Sequence, residues 1–476
     1  MIKLKRAVSS IALVTVLAMA GCGGGQGTAS ILPMNNPQAA AVTINIGDSP
    51  NDRIAALELT ISSLSLVDTS GNKLPVLKSP VELEIRNLAG ILKPISVSSV
   101  PAGTYTAVSL QLSAAEITML DPVTGQPVET NLSVPTAPIS VKFASPLVLA
   151  SDAATVNLDF NLAASVSIDA SGKVTFSPVV IATTGMVPAQ ANQENEVEEG
   201  EVREMVGAVS NINLAGGAFT IMVGKGPQTL TFQVDASTKF EGIGSLAGLA
   251  AGAIVEVHAL TELNGTLLAT KVNAEDDNNQ DAEVEGLVVS TTGNPVTQFA
   301  VLVRDETGGS LTTSALGHTA TVSINSATQF AIDGDEISLS GLNFTPRFDS
   351  GTLVKGQNVG ADVGEQEFEA EDMGSSNGTG SGGSAITAKN VRLRQQALTG
   401  TVSAVNQSSG MTTFTLTMQS DSVFAMLSGQ TTVTVSASPS TQMKVSVTDG
   451  ATVQVRGLLF FTGGKYDLVA GRIVQP

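Results

Sequence analysis

Three short stretches of the chain place a glycine inside a run of strand-forming residues. They are "VGAVSNI" at Val206–Ile212, "EGLVVST" at Glu285–Thr291 and "TGTVSAV" at Thr399–Val405. Runs of β-branched residues bounded by turn-forming residues are typical of short, partly buried β-strands. The recurrence of one kind of strand at three places indicates an internal repeat, which fixes the fold class of more than half of the chain.

Further elements follow each of these strands in the same order. A strand led by phenylalanine comes first, then a strand that ends in a threonine turn, then a glycine followed by a strand, and then a closing strand. The matched residues are Phe219, Phe299 and Phe414; Thr238, Thr328 and Thr441; and Gly252, Gly356 and Gly450. Five matched elements in one order, three times, predict a triplicated domain.

The residue types at the matched positions predict structural roles. Gly207, Gly286 and Gly400 would permit a sharp bend or a bulge at a barrel corner. The phenylalanines would fill the interior, and the threonines would bond neighbouring backbone in a turn. Five or six short strands in about 75 residues favour a small closed or partly open, OB-like β-barrel.

Residues 41–184, which precede the repeats, contain at least seven strand-like runs with turn signals between them, and this favours an antiparallel β-sandwich. The stretch "VPAGTYTAVSLQL" at 100–112 resembles a turn of prealbumin-like sandwich domains. Together with "INIGDSPND" at 44–52 and "IRNLAGI" at 85–91, it resembles domain-of-unknown-function family 4382. That resemblance implies a prealbumin- or immunoglobulin-like sandwich and no established activity.

The repeats resemble a second family of unknown function that is proposed to be barrel-like. The predicted fold is therefore all-β, with an N-terminal antiparallel β-sandwich followed by three small OB-like β-barrel repeats. The predicted segments are a signal peptide at 1–21, a tether at 22–40, the sandwich at 41–184, an acidic linker at 185–204, and repeats at 205–274, 283–394 and 397–476. An acidic and Gly/Ser-rich insertion at 364–385 is expected to be disordered.

Cys22, the single cysteine of the 476 residues, lies in "LAMAGC" at the end of a short apolar run. A basic head, a short apolar core and small residues are the parts of a secretory signal peptide. The stretch resembles the lipobox of bacterial lipoproteins, although Met19 stands where leucine is most typical. The resemblance implies that Cys22 carries a lipid with acyl chains such as palmitate. By the same resemblance, Gly23 after the cysteine favours the outer over the inner membrane, with the protein facing either the periplasm or the exterior.

The formal net charge of −19 opposes binding to nucleic acid, which carries negative charge itself. Basic residues and exposed aromatics are both scarce, so a stacking surface for bases is not expected either. The expected partners are the membrane, through the lipid, and an envelope protein or a glycan.

The chain is poor in residues that carry catalysis. Its two histidines, His258 and His318, fall at non-matching places in two different repeats, which argues against a nucleophilic triad. The supply of His and Cys ligands is too small to predict a zinc site, and no cofactor is expected. Calcium has two candidate stretches, residues 47–52 and 275–283. The candidate ligands in the second stretch are Asp276, Asp277 and Asp281.

These observations favour a non-catalytic, lipid-anchored protein of the cell envelope with a structural, adhesive or binding-surface role. A solute- or glycan-binding protein that uses the N-terminal sandwich is the alternative. An enzyme with a pair of carboxylates is a third hypothesis and would need two acids buried in one pocket.

Overall fold

The computed structural model describes residues 39–169, 173–187, 201–274, 281–307, 316–334, 337–364, 386–408 and 410–476. Of the described residues, 63% lie in strands and 4% in helices, so the predicted all-β class is confirmed, while the sandwich and OB-like assignments stay predictions. The two α-helices of the described part are short: α1 is Leu162–Ser165 and α2 is Val423–Ser428. Within the described ranges, no helix is long and apolar enough to cross a membrane.

The N-terminal module, residues 39–187, is built from two sheets. One sheet has the strand order β12-β9-β1-β5, and the other has the order β3-β2-β6-β7 with β4 added to β2 and β8 added to β6. A separate hairpin joins β10 and β11. The strands are β1 (Ala39–Ser49), β2 (Ile54–Asp68), β3 (Lys73–Pro75), β4 (Val81–Glu84), β5 (Lys93–Pro101), β6 (Gly103–Leu120), β7 (Pro127–Asn131), β8 (Ile139–Leu149), β9 (Ala154–Asn161), β10 (Val166–Ile168), β11 (Val174–Phe176) and β12 (Val180–Met186).

One strand pair of this module departs from the antiparallel expectation. Strands β1 and β9 run parallel, with Val42 opposite Ala154 and Ile46 opposite Leu158. Parallel neighbours need a long crossover connection, and the whole second sheet lies between them in the chain. Strand β1 also starts at Ala39, so the last two residues of the predicted tether already belong to the sheet.

Three barrel-like sheets follow, named barrels 1, 2 and 3 in chain order. In barrel 1 the order is β15-β14-β13-β17-β18-β16, and a further pairing of β15 with β18 closes the sheet into a ring of five strands, with β16 also paired to β18. The strands are β13 (Glu201–Asn213), β14 (Ala218–Met222), β15 (Thr229–Gln233), β16 (Lys239–Glu241), β17 (Ile254–Thr261) and β18 (Leu267–Ala274).

Barrels 2 and 3 repeat this topology. Barrel 2 has the order β21-β20-β19-β23-β24-β22, closed by the pairing of β21 with β24. Barrel 3 is a closed ring with the order β25-β26-β27-β29-β28. Its long strand β27 pairs with β29 on both sides of a register shift between Ala437 and Gln442, where barrel 1 has two separate strands, β15 and β16, paired with β18. The strands are β19 (Asp281–Gly293), β20 (Val296–Thr307), β21 (Thr319–Ser323), β22 (Gln329–Ile332), β23 (Asn358–Gly364), β24 (Ile386–Leu393), β25 (Gln395–Ser408), β26 (Met411–Thr417), β27 (Thr432–Met443), β28 (Thr452–Thr462) and β29 (Lys465–Val474).

The predicted insertion and the acidic linker fall largely outside the described residues. Residues 365–385 and 188–200 are not described, while β12 reaches Met186 and β13 begins at Glu201. The domain boundaries drawn from the sequence stay predictions.

The matched threonines lock the same turn in all three barrels. Each Oγ1 accepts a hydrogen bond from the backbone N–H three residues earlier, at 2.9–3.1 Å, and donates one to an alanine carbonyl on the closing strand, at 2.7–2.8 Å. The partners are Asp235 and Ala269 for Thr238, Asn325 and Ala388 for Thr328, and Ser438 and Ala470 for Thr441. The predicted backbone bonding of these threonines is confirmed.

The matched glycines and phenylalanines also recur in structure. Gly252, Gly356 and Gly450 all have φ between 85° and 89°, where a side chain would be strained. Each donates its N–H to the carbonyl of a valine on the first strand of its barrel, at 2.7–2.9 Å. The phenylalanines are 1–2% exposed, which confirms that they fill the interiors.

At Gly207, Gly286 and Gly400 the backbones of two neighbouring strands lie so close together that there is no room for a side chain. A Cβ on Gly207 would lie 2.5 Å from the carbonyl oxygen of Met222. The corresponding distances are 1.9 Å at Gly286 and 2.6 Å at Gly400, again to carbonyl oxygens of the next strand. Only a residue without a side chain fits at these three positions.

We predict that Gly207→Ala lowers the free energy of unfolding by about 1–3 kcal/mol, because the new methyl group overpacks against Met222. Gly244→Ala in the same barrel is the matched control, since nothing lies within 4 Å of its Cβ position. Urea unfolding of the full chain measures both. Equal stability of the two variants would contradict the close-approach explanation.

We predict that Thr441→Val lowers the unfolding free energy by about 1–3 kcal/mol, because a buried carbonyl and a buried N–H lose their partner. The exposed Thr432 of the same strand supplies the control, and Thr432→Val should stay within about 0.5 kcal/mol of the native protein. A Thr441→Val protein with a native denaturation midpoint would show that the turn does not depend on this hydroxyl.

Candidate functional site

The residues predicted from sequence to carry a ligand are mostly beyond the structural description. Cys22, Asp276 and Asp277 lie outside the described residues. Asp281 is the first residue of β19, where its backbone lies opposite Gly364 of β23, and its side chain is not described. Lipidation of Cys22 and calcium binding by the three aspartates therefore stay predictions.

The other calcium candidate, residues 47–52, is occupied by an ion pair. The Arg86 guanidinium lies 3.1 Å from Asp48 and 3.5 Å from Asp52, with the Asp48 side chain fully buried. Burial raises the pKa of both carboxyl groups, and the positive charge of Arg86 opposes that shift. Arg86 thus pairs with two carboxylates of this stretch, and calcium binding at 47–52 stays a prediction.

Arg394 lies at the centre of a buried cluster of charges where barrels 1 and 2 meet. Its Nη1 is 3.1 Å from Glu256 of barrel 1 and 2.6 Å from Asp333 of barrel 2. Its Nη2 is 2.6 Å from Glu283 of barrel 2. The side chains of Arg394, Glu256 and Glu283 are each at most 5% exposed. Charges removed from water in this way are tolerated only when they are paired.

His258 belongs to the same cluster. Its Nε2 lies 2.8 Å from Glu256 Oε1, and both side chains are buried. Glu256 thus joins an imidazole of its own strand, β17, to the guanidinium of Arg394 in the next barrel. This arrangement supports packing between barrels.

Two further arginines join the N-terminal module to barrels 2 and 3. Arg304 of barrel 2 donates from Nε and Nη2 to the Ala55 carbonyl, at 2.9 and 2.6 Å. Burial lowers the pKa of Arg304 to about 10, and the charge of Glu84 opposes that shift. Arg456 of barrel 3 reaches the carbonyl of Ala89 at 3.4 Å.

The clefts at this junction are small and lined by charge. One of them, with an empty volume of about 420 Å³ that includes open solvent, lies between the N-terminal module and the three barrels. Glu256 and Asp333 on its wall are bonded to Arg394, and Asp305 is bonded to Lys93 at 3.0 Å. These three carboxylates are engaged by basic side chains, and Glu285 on the same wall accepts a hydrogen bond from Asn358 at 2.7 Å.

A second cluster lies where barrel 2 meets the sheet of β2, β6 and β7. The candidate ligand atoms of Glu116, Glu129 and His318 all lie within 4.8 Å of one another. Nδ1 of His318 is 2.9 Å from Oε1 of Glu129, and this hydrogen bond raises the pKa of the imidazole. Thr118 donates to the carbonyl of Gly317 at 2.9 Å and so fixes the loop that carries the histidine.

Glu58 adds another carboxylate to this cluster. It stands directly opposite Glu116 in the β2–β6 pair. Burial, together with the negative charges of Glu82 and Glu116, raises the pKa of Glu58 to about 7. Like charges directly across a strand pair are destabilising unless something offsets them.

Sequence reasoning did not find either cluster. The sequence marks residues 275–283 only as a calcium candidate, whereas Glu283 at the end of this run is 4% exposed and bonded to Arg394. His318 follows Gly317 in the chain, and no local pattern pairs it with glutamates that lie about 200 residues earlier. Contacts between modules leave no local signal in the spacing of residues.

Residues 39–178 match the family model described as "Domain of unknown function (DUF4382)", and residues 206–273 match "Domain of unknown function (DUF5666)". The resemblance of the N-terminal region to the first family is confirmed, and the second family covers barrel 1. No curated protein matches the chain.

Among solved structures, the single-stranded DNA binding protein from Thermus aquaticus is 12% identical, with a TM-score of 0.14, over 41% of this chain and 92% of that chain. A glycoside hydrolase of family 32 from Bifidobacterium adolescentis is 9% identical, with a TM-score of 0.11, over 91% of this chain and 67% of that chain. At these TM-scores neither structure informs the fold or the function.

We predict that Arg394→Met lowers the free energy of unfolding by about 3–5 kcal/mol, because three acids lose the guanidinium between them. Arg53→Met is the matched control: its ion pair with Asp421, at 3.0 Å, is 44% and 53% exposed and should contribute about 0–1 kcal/mol. Chemical denaturation followed by circular dichroism measures both. Similar midpoints for the two variants would refute a structural role for the Arg394 cluster.

Proposed function

We propose that this protein is a non-catalytic, lipid-anchored component of the cell envelope. In this proposal the N-terminal module and the three barrels form one rigid platform with a structural or adhesive role. Its partners are the membrane, through the lipid on Cys22, and an envelope protein or a glycan on the platform surface.

The observation that carries this proposal is the use of buried charge at the junctions between modules. Arg394, Arg304 and Arg456 each bridge two modules from a buried position. Here the guanidinium groups are bonded to neighbouring modules, which favours a fixed arrangement.

The apolar cores support the same conclusion because they cross the module boundaries. One core contains residues of the N-terminal module together with residues of barrel 1. A smaller core combines Ala55 and Leu120 of the N-terminal module with Leu287 of barrel 2 and with Leu427 of barrel 3. Buried apolar area of this kind contributes about 25 cal/mol per Å² and opposes separation of the modules.

The alternative, a glycan-binding N-terminal sandwich, is less well supported. Sugar rings are commonly recognised on exposed aromatic faces. The four aromatic side chains of residues 41–184 are all at most 8% exposed, so they offer no such surface; they are Tyr105, Phe143, Phe160 and Phe176.

Anchoring is proposed from the sequence around Cys22 and from the charge of the chain. A formal net charge of −19 opposes adsorption to anionic lipid, so attachment to a membrane would need a covalent lipid. Acyl chains contribute about 0.8 kcal/mol per buried CH₂, and more than one chain is needed for stable anchoring. Gly23 favours the outer membrane as the location.

We predict that the chain made in a bacterial host incorporates labelled palmitate and sediments with membranes, and that Cys22→Ser abolishes both because the thioether cannot form. Met19→Leu is the matched control, since it restores the more typical residue beside the site and should stay labelled. Metabolic labelling and membrane fractionation measure the outcome. A native chain that stays unlabelled and soluble would refute the anchoring.

A further inference from the structure

We propose that Glu116, Glu129 and His318 bind a divalent transition-metal ion, with Zn²⁺ as the preferred ion. The site lies between the N-terminal module and barrel 2, away from the Arg394 cluster. It goes beyond the proposed function because it adds a ligand that links two modules.

The three candidate ligand atoms are already close to the spacing that a metal requires. Zinc binds histidine nitrogen and carboxylate oxygen at about 2.0–2.2 Å, which places neighbouring ligand atoms roughly 3–4 Å apart. All three atoms lie within 4.8 Å of one another, and the pair between His318 and Glu129 is at 2.9 Å. Glu129 is exposed and the side chains of Glu116 and His318 are partly exposed, so an ion can reach the set from solvent.

The backbone positions the ligands before any ion arrives. Glu129 of β7 stands opposite Thr118 of β6, and Glu116 is two residues from Thr118 on the same strand. Residues two apart on a strand face the same side of the sheet. Thr118 also bonds the Gly317 carbonyl, so the residue between the two glutamates holds the loop that presents His318.

The charge around the set favours a cation. Glu58 lies opposite Glu116, and its Oε2 is 4.0 Å from the position that a Cβ on Gly317 would take. Three carboxylates are therefore gathered around one imidazole. The charge of His318 already opposes part of the repulsion between Glu58 and Glu116, and a divalent ion would offset it further.

The donor set decides the class of ion. Imidazole suits zinc and its neighbours among the transition metals, whereas Ca²⁺ and Mg²⁺ take oxygen ligands. Three protein ligands would leave a fourth position of a tetrahedral ion for water. The sequence indicated too few ligands for zinc because it could not anticipate that strand pairing and docking of barrel 2 would bring these three together.

Zinc binding to the full chain tests the proposal. Every sample carries Cys22→Ser, so that the thiol cannot bind the ion, and is stripped with a chelator before titration calorimetry with Zn²⁺. We expect one Zn²⁺ per chain. His318→Gln and Glu129→Gln should each lower the affinity by at least about 100-fold, since loss of an outer-shell partner alone costs about 10–100-fold.

Glu262→Gln, at an exposed glutamate of barrel 1, is the matched control and should bind Zn²⁺ as the native chain does. Glu129 is exposed, so the metal-free Glu129→Gln protein should melt like the native one, which separates loss of a ligand from loss of the fold. Absence of stoichiometric Zn²⁺ binding would overturn the proposal and leave an ion pair between His318 and Glu129. Unchanged affinity in both ligand variants, or tighter binding of Ca²⁺ than of Zn²⁺, would overturn it too.

Discussion

The contact of the Arg394 guanidinium with Glu256, Glu283 and Asp333 is the interaction on which the arrangement of the barrels depends. A buried ion cluster adds little to stability when compared with apolar residues of the same shape, but it is costly to break. Its geometry is also specific, because each carboxylate must meet the planar guanidinium in a fixed direction. We infer that this cluster sets how barrels 1 and 2 are oriented, while the shared apolar cores hold them together.

The three barrels keep one backbone design and differ where they meet their neighbours. The threonine turn recurs with nearly the same hydrogen-bond distances in each barrel, and the later glycine recurs with nearly the same positive φ. The strand glycine lies in each barrel against a carbonyl oxygen of the next strand. Six residues after the matched Gly252, Gly356 and Gly450 stand three different side chains, His258, Asp362 and Arg456. The repeated scaffold thus carries different polar side chains at one equivalent position, and two of them, His258 and Arg456, lie at the junctions between modules.

Local features of the fold could be predicted from the sequence, whereas contacts between distant segments could not. The roles of Phe219 and Thr441 follow from their types and their recurrence, and both are confirmed. The parallel pairing of β1 with β9 depends on where the chain returns after a whole sheet, and no local pattern encodes that. The burial of Glu283 and the meeting of His318 with Glu116 have the same cause, since each arises only when separate modules dock.

Native-state hydrogen exchange of the full chain, followed peptide by peptide in increasing denaturant, tests the rigid platform most directly. If the buried charges and shared cores couple the modules, the amides of β17 in barrel 1 and of β23 in barrel 2 will open together, with one opening free energy and one dependence on denaturant. If barrel 1 opens at a distinctly lower free energy and with a smaller denaturant slope than barrel 2, the modules are independent and the account is wrong.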